Sequence, residues 1–399
     1  MSDDFDCDVL IIGGGIAGAW TQEVLRRQGY RVLLAEADRL GCRQSSMSQG
    51  IIHGGIKYAL DGVLGSATNA IRGMPDQWRA ALDGSGEVDL RAARQLSPYH
   101  YMWSTGSMFS KLALLAASKA VVSLMHEVPE AERPAAFRLA GFKGPLYALH
   151  EPVLDIPSVF SALAALNAGA LIQARAERGS FTWQGERIVS VDLRLPDGQS
   201  FRVKPAAVIL TAGEGQEELL GGLIEKGRPR MQRRPLHMVA VKHRFPHPVY
   251  AHCVGAATKP ELTITTQFAP DGAQVWTLGG NISEDGVSRS PHEQIAAGQK
   301  LLRDLTPWID LGPAEWATWR VDRAEPHQSD GARPDNAFTA PVGNAIVAWP
   351  TKLALAPDLG RACLEHLGRF GTPRSGKCAL PAGLGAPPVG PGPWVELFR

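Results

Sequence analysis

The chain has 399 residues and a formal charge of +1, from 41 Lys and Arg against 40 Asp and Glu. At about 150 residues per domain this length predicts two or three domains, and 44% hydrophobic with 20% charged residues excludes a disordered, fibrous or coiled-coil chain. The balanced charge provides no overall field to gather nucleic acid or an anionic membrane. Five cysteines (Cys7, Cys42, Cys253, Cys363, Cys378), an odd number without a CxxC pair, argue against a zinc site or a disulfide framework and fit a reducing cytoplasm; no metal ligand set is expected.

The acidic opening MSDDFDCDVL lacks the basic and apolar regions of a secretory signal, so no export is expected. No window offers the ~18 uncharged apolar residues of a membrane span: Lys119 interrupts one candidate, and Asp155 with Pro157 another.

In chain order, residues 8–12 (DVLII) read as a strand, 16–28 as a helix closed by Gly29, and 31–35 as a second strand, giving a compact β-α-β unit. A Ser- and Gly-rich loop spans 41–55, and the best helix of the next stretch is 110–125. Residues 154–168 predict a helix with Asp155 as N-cap and Pro157 in its first turn. Strands alternate over 181–195, Pro196-Asp197-Gly198 reverses the chain, and 201–210 returns as a hairpin partner that stops at Thr211-Ala212-Gly213. Strands follow at 236–246 and 261–279, the latter broken by Asp271-Gly272, then a helix at 291–305. Residues 342–349 predict a strand, Pro350-Thr351-Lys352 a turn, and 353–367 a closing helix; the Pro/Gly-rich remainder is either a surface strap or disordered.

Gly13-Gly14-Gly15-Ile16-Ala17-Gly18 satisfies G-x-G-x-x-G between a strand and a helix, the context a dinucleotide site requires. Gly13 permits the tight turn, Gly15 lets backbone N–H groups approach a pyrophosphate, and Gly18 lets the helix pack on the sheet. The helix N-terminus faces the anion. Glu36, followed by Ala37, ends the second strand about twenty residues on, where a carboxylate accepts from a ribose and disfavours a 2′-phosphate. A nicotinamide enzyme needs no hydroxyl-rich loop after this unit, whereas Ser45, Ser46 and Ser48 with the loop glycines suit a pyrophosphate, a ribityl chain and a flat ring.

The run from Gln44 to Tyr58, QSSMSQGIIHGGIKY, resembles the Ser-Ser-x-x-Ser…Ile-His-Gly-Gly-x-Arg-Tyr stretch of flavin-dependent glycerol-3-phosphate dehydrogenases and oxidases, within the D-amino-acid-oxidase-like (DAO) superfamily. Leu154-Asp155-Ile156-Pro157 is similar to that family's return helix, Thr211-Ala212-Gly213 to its second cofactor turn, and 342–367 to its closing strand and helix. The resemblance implies FAD and a two-domain α/β fold: a Rossmann-like cofactor domain from residues 1–75, 150–220 and 335–371, an α+β mixed-sheet substrate domain from 76–149 and 221–334, and a tail at 372–399. It implies cofactor contacts from Gly13, Gly15, Ile16, Ala17, Gly18, Glu36, Ala37, Ser45, Ser46, Ser48, Gly54, Gly55, Ala212, Gly213, Thr351, Lys352 and Leu353.

Oxidising an alcohol with a flavin requires a base for the hydroxyl proton while hydride moves to N5, and histidine suits neutral pH. Two of the eleven histidines are candidates: His53 in the flavin loop, and His237, which matches a family histidine at the start of a strand. The resemblance places positive charge at Lys57 beside Tyr58, at Arg323, with Arg320 a competing register, and at Lys352. A guanidinium grips phosphate or carboxylate through two hydrogen bonds, and a lysine acts as a point charge. Proline at position 350 removes a backbone N–H from the turn that faces the flavin in the family, so Lys352 or the helix start at Leu353 is expected to stabilise reduced flavin instead.

The implied reaction is oxidation of a small anionic hydroxy compound, led by sn-glycerol 3-phosphate, with O2, a quinone or a redox protein as acceptor. An L-2-hydroxyglutarate-type hydroxy-acid dehydrogenase, an amine or amino-acid oxidase, and a non-enzymatic flavoprotein remain alternatives. Residues 110–125 read as core, with peripheral membrane contact as the alternative.

Overall fold

The computed structural model describes residues 4–55, 71–104, 124–255, 260–370, 373, 378 and 380–399. Lys57, Tyr58 and nearly all of the expected 110–125 helix lie outside the described residues. Strand β1 (Phe5–Ile12), helix α1 (Ile16–Arg27) and strand β2 (Val32–Glu36) form the expected crossover, and β1 and β2 pair in parallel. Both strands are nearly continuous apolar runs because both faces of the parallel sheet are covered, one by α1 with the helices Ile156–Leu166 and Ala356–Leu367 and the other largely by the strands Phe181–Gln184 and Arg187–Arg194.

Around them the first sheet runs Phe338–Val342, Ala345–Trp349, Ser200–Leu210, β1, β2, Leu171–Gln173. Four pairings are parallel, and the Phe338–Val342 edge is antiparallel. The strands of 181–195 form a hairpin, and the single strand expected at 342–349 is one arm of another. The 181–195 stretch folds back as Phe181–Gln184 and Arg187–Arg194, with Gly185 at φ 60°, and the 342–349 stretch begins with a turn in which Gly343 has φ 59°. Both angles lie in the left-handed region that glycine occupies without a Cβ clash.

The large α1 residues are accommodated by packing. Trp20 stacks against Trp78 with centroids 4.6 Å apart, and the Gln22 amide donates to Ala170 O at 2.8 Å. Gly360 of the closing helix, Ala356–Leu367, places its Cα where an added Cβ would lie 3.1 Å from Val24 Cγ2, so α1 and that helix meet closely. Asp155 is the N-cap of Ile156–Leu166, but its side chain makes no capping bond; it pairs with Arg94 at 3.1 Å.

The second sheet has the order Glu315–Pro326, Met231–His243, Gln274–Gly279, Leu262–Phe268, Tyr250–Val254, His100–Ser104, Tyr147–Leu149, Met125–Glu127. It is mixed, since Tyr250–Val254 pairs in parallel with His100–Ser104 while its other pairings are antiparallel. Pro291–Leu305 covers one face, started by a capping box between Ser290 and Glu293.

The C-terminal residues form a strap. Leu40 N–H donates to Pro388 O and Gly390 N–H to Leu40 O, both at 2.8 Å, while Gly385 O accepts from Gln173 N–H. Trp394 and Phe398 then bury against Ala240, Val275 and Trp319 of the second sheet. All five cysteines are free thiols, and no helix among the described residues is long and apolar enough to cross a membrane.

Candidate functional site

A cavity of about 440 Å³ opens where the end of β1, the end of β2 and the Ser200–Leu210 strand meet the second sheet. Its walls include Gly13, Gly15, Ile16, Ala17, Glu36, Ala37, Ser45, Ser48, Ala212, Gly213, Arg323, Thr351, Lys352 and Leu353 from the expected set. Gly13 has φ 110°, and a Cβ there would lie 2.6 Å from the backbone of Thr211 and Ala212. A Cβ on Gly18 would lie 2.0 Å from Gly13 O; Gly18 therefore serves packing and does not line the cavity. Thr211 locks the turn by donating from Oγ1 to Gly13 O at 2.9 Å.

Glu36 shapes this end of the cavity. Its Oε2 accepts Gly14 N–H at 2.7 Å and its Oε1 accepts Asp38 N–H at 2.9 Å, and a carboxylate has lone pairs beyond those two bonds for a ribose. Ser45 Oγ accepts Ile16 N–H at 3.1 Å, holding the serine loop over the start of α1. Ser46 is buried and is not a wall residue. The loop then crosses to the second sheet: Gln44 Oε1 accepts Ala324 N–H at 3.1 Å, and Gln49 Nε2 donates to Thr277 O at 3.0 Å. A glycine turn cleared of Cβ atoms, helix N–H groups and a carboxylate at the second strand's end fit the pyrophosphate and ribose of FAD.

The cationic wall is denser than the sequence indicated. The Arg320/Arg323 ambiguity resolves by strand alternation: residues three apart on Glu315–Pro326 face opposite sides. Arg320 reaches the carbonyls of Val287 and Arg289 on an exposed surface, whereas Arg323 enters the cavity. Arg333 joins it there without having been foreseen. Arg323 bonds Glu284 at 3.1 Å, and Arg234 shares Glu284 at 3.9 Å and holds the buried Glu325 at 3.3 Å. Burial, and then repulsion from Arg234 and Arg333, push the Arg323 pKa below its ordinary value. Nε of Arg323 and Nε of Arg333 are buried without a hydrogen-bond partner among the described residues.

Lys352 is buried, donates from Nζ to Asp335 O at 2.8 Å, and follows Thr351, whose φ of 59° is a left-handed conformation rare for a β-branched residue. Strain of this kind is stored where the surroundings over-determine the backbone. Thr351 Oγ1 donates to Asn336 O at 3.0 Å, one of the contacts that do so.

Neither histidine candidate lines the cavity. His237 belongs to Met231–His243, where Leu236 lines the cavity, so alternation turns His237 to the other face. There it is buried, with Nδ1 2.9 Å from Gly286 O, and the structure does not bring it to the site. His53, Gly54 and Gly55 also lie beyond the cavity wall, at the end of the serine loop that meets the second sheet. His53 Nδ1 is 3.0 Å from Oε2 of the buried Glu151, and Glu151 Oε1 accepts Gly54 N–H at 2.7 Å. His53, Glu151 and His252 bring nitrogen and oxygen atoms within 4.8 Å of one another, already joined in part by hydrogen bonds; the group can exchange protons. Neither Glu151 nor His252 was foreseen, and neither carries a local motif.

Comparison with known proteins identifies the family. Residues 8–350 match the family model described as DAO, FAD dependent oxidoreductase. The chain is 47% identical over the full length of both chains to the probable FAD-dependent oxidoreductase PA4991 of Pseudomonas aeruginosa, and superposes on the crystal structure of that protein with a TM-score of 0.85. It is 24% identical, over 61% of this chain and 45% of the relative, to an aerobic glycerol-3-phosphate dehydrogenase of Staphylococcus epidermidis. At 14% identity it shares the fold of an L-alpha-glycerophosphate oxidase from Mycoplasma pneumoniae, covering 94% of this chain and 99% of that one with a TM-score of 0.66. The chain belongs to the DAO family of FAD-dependent oxidoreductases, and its cofactor is FAD.

Proposed function

We propose that the protein oxidises a small anionic hydroxy compound, with sn-glycerol 3-phosphate as the leading substrate. The observation that carries this reading is Arg323: a desolvated guanidinium on the cavity wall, set against Arg234 and Arg333 and only partly offset by Glu284. Arg323, Arg333 and Lys352 together bring donors and positive charge to one wall of the cavity, where an anionic substrate can accept from them. The similarity to aerobic glycerol-3-phosphate dehydrogenase supports the choice of substrate.

When bound, FAD supplies a two-electron acceptor for the substrate's C–H hydride. Arg323 and Arg333 hold the substrate's charged end by forked hydrogen bonds, and Lys352 supplies a positive charge on the same wall. The base proposed for the hydroxyl proton is His53, just beyond the cavity wall at the end of the serine loop. The acceptor that would close the cycle is O2, a quinone or a redox protein, and five free thiols suit a reducing cytoplasm.

The test is anaerobic mixing of the purified yellow protein with sn-glycerol 3-phosphate, L-2-hydroxyglutarate, both lactates and a panel of amino acids while the flavin band is followed. Bleaching by sn-glycerol 3-phosphate supports the proposal in full. Bleaching by a hydroxy acid alone keeps the chemistry and changes the anion to carboxylate; bleaching by amino acids alone overturns it.

A further inference from the structure

Burying a carboxylate in a protein interior is costly unless its oxygens are paired. Glu151 is 2% exposed, and both oxygens are engaged, one by Gly54 N–H and one by His53 Nδ1. Burial alone pushes its pKa up, but the charge and hydrogen bond of His53, the Gly54 amide and the nearby His100 outweigh that and hold it below the ordinary glutamate value. An ionised carboxylate only accepts, so Nδ1 of His53 carries a proton and Nε2 is the nitrogen that gains one.

The titratable groups facing this pair come from two strands of the second sheet. Glu151 precedes the Ile156–Leu166 helix, His252 lies on Tyr250–Val254, and His100 begins His100–Ser104. The His53 and His252 rings stack 5.8 Å apart, the His100 and His252 rings lie 4.1 Å apart, and His252 Nδ1 is 2.7 Å from Thr263 Oγ1. Three imidazoles thus surround one carboxylate. A second imidazolium here would sit beside the first with one anion between them, so the cluster favours a single positive charge, drawn to the ring bonded to Glu151.

We propose that Glu151 is a positioning residue for the oxidation: its carboxylate fixes the ring orientation, tautomer and proton affinity of His53, the base. The inference rests on the reading of His53 given above. In the balanced step the substrate C–H bond breaks and its electron pair leaves as hydride to the bound flavin, while the O–H proton goes to His53 Nε2 and a carbonyl product remains. Nδ1–H stays on Glu151, and His53, a quarter exposed, returns the proton to solvent.

Glu151→Gln is the informative variant. If its amide oxygen keeps the Gly54 N–H, the amide NH2 meets Nδ1 as a donor and forces the opposite tautomer, in which Nε2 already carries its proton. Anaerobic reduction of the holoenzyme is expected to slow about 100-fold or more with half-saturation little changed. The pH midpoint of reduction is expected to fall by about one unit, because the anion that favours imidazolium is gone; Glu151→Asp, which keeps the charge, is expected to retain more of the wild-type midpoint than Gln does. Unchanged pH midpoints in a Glu151→Gln protein that merely holds less FAD would overturn the proposal. Nitrogen-15 imidazole spectra of the wild-type holoenzyme need no substrate: neutral His53 must show the Nδ1–H tautomer, and the Nε2–H tautomer overturns the proposal even where the variant fails to fold. The Nδ1–H tautomer, a lowered His53 midpoint in the variant and no hydroxy compound able to bleach wild type would support the positioning and sink the substrate reading instead.

Discussion

Arg323→Met separates recognition of the substrate from support of the fold. The Arg323 side chain is 14% exposed, and its ion-pair partner Glu284 keeps Arg234 at 3.9 Å when Arg323 is gone. Loss of one charge-assisted bond is worth about 1.5–3 kcal/mol, but the variant also relieves the desolvation and the repulsion from Arg234 and Arg333 that already lower the Arg323 pKa. These terms oppose, so the net stability change is expected within about 1 kcal/mol, about one degree in melting temperature for a chain of this length. Substrate binding has no such offset. Removing one partner of a buried charged hydrogen bond costs about 2–4 kcal/mol of complex stability, roughly 30- to 900-fold in half-saturation. The assay is stopped-flow flavin reduction across concentrations of whichever anionic compound bleaches the wild type, beside a thermal melt. Arg323→Lys is expected to recover part of the loss, since an ammonium keeps the charge and gives up the fork. Half-saturation within twofold of wild type in the methionine variant would refute the assignment, and a large fall in melting temperature with unchanged half-saturation would make Arg323 a structural residue.

Other expectations concern the cradle, the strap and acid sensitivity. Gly13→Ala puts a Cβ 2.6 Å from Ala212 Cα at a φ of 110°, so the purified variant is expected to be colourless; a yellow protein with stoichiometric flavin would show that the turn has room. Trp394→Ala removes the anchor of the C-terminal strap, at a cost of about 3–5 kcal/mol to its docking, and frees Leu40 next to the cavity-lining loop. Faster FAD release and early protease cleavage of the tail should follow, and an unchanged release rate would uncouple strap from cofactor. His243 is pushed down to about 4 by burial, so between pH 6.5 and 4 the unfolded chain binds a proton that the folded chain refuses. Stability is therefore present above pH 6.5 and lost as pH falls through that window, by about 3 kcal/mol. His243→Phe should flatten this slope in denaturant titrations at pH 7 and 4.5, after a pH-independent loss from the unpaired Phe245 N–H.

The cofactor end of the site was legible in the sequence because its chemistry is local. Gly13, Gly15 and Gly18 act through backbone geometry within six residues, and Glu36 reads out at the end of the adjacent strand. The proposed substrate end is assembled from side chains far apart in sequence: Glu151 and His53 are 98 residues apart, and only the fold joins them. Alternation puts Arg323 rather than Arg320 on the cavity wall and turns His237 away from it, but only once the neighbouring strand gives the register; Leu236 and Met238 on one face of Met231–His243 are matched by Pro235 and Val239 beside His237 on the other, and no period-two signal marks which side is the cavity. Residues 342–349 misled for a related reason, since Gly343 with Asn344 reads as strand interior until Asn344 Oδ1 is seen accepting Ile188 N–H at 2.7 Å. The asymmetry has a physical origin. Phosphates are recognised by backbone N–H groups at a helix start, which one contiguous segment supplies, whereas a desolvated anion site or a buried base needs charges from several elements that offset one another's burial. A carboxylate in an apolar stretch, such as Glu151 in YALHEPVL, is the trace such assembly leaves in sequence, because an acid there is tolerated only where distant partners await it.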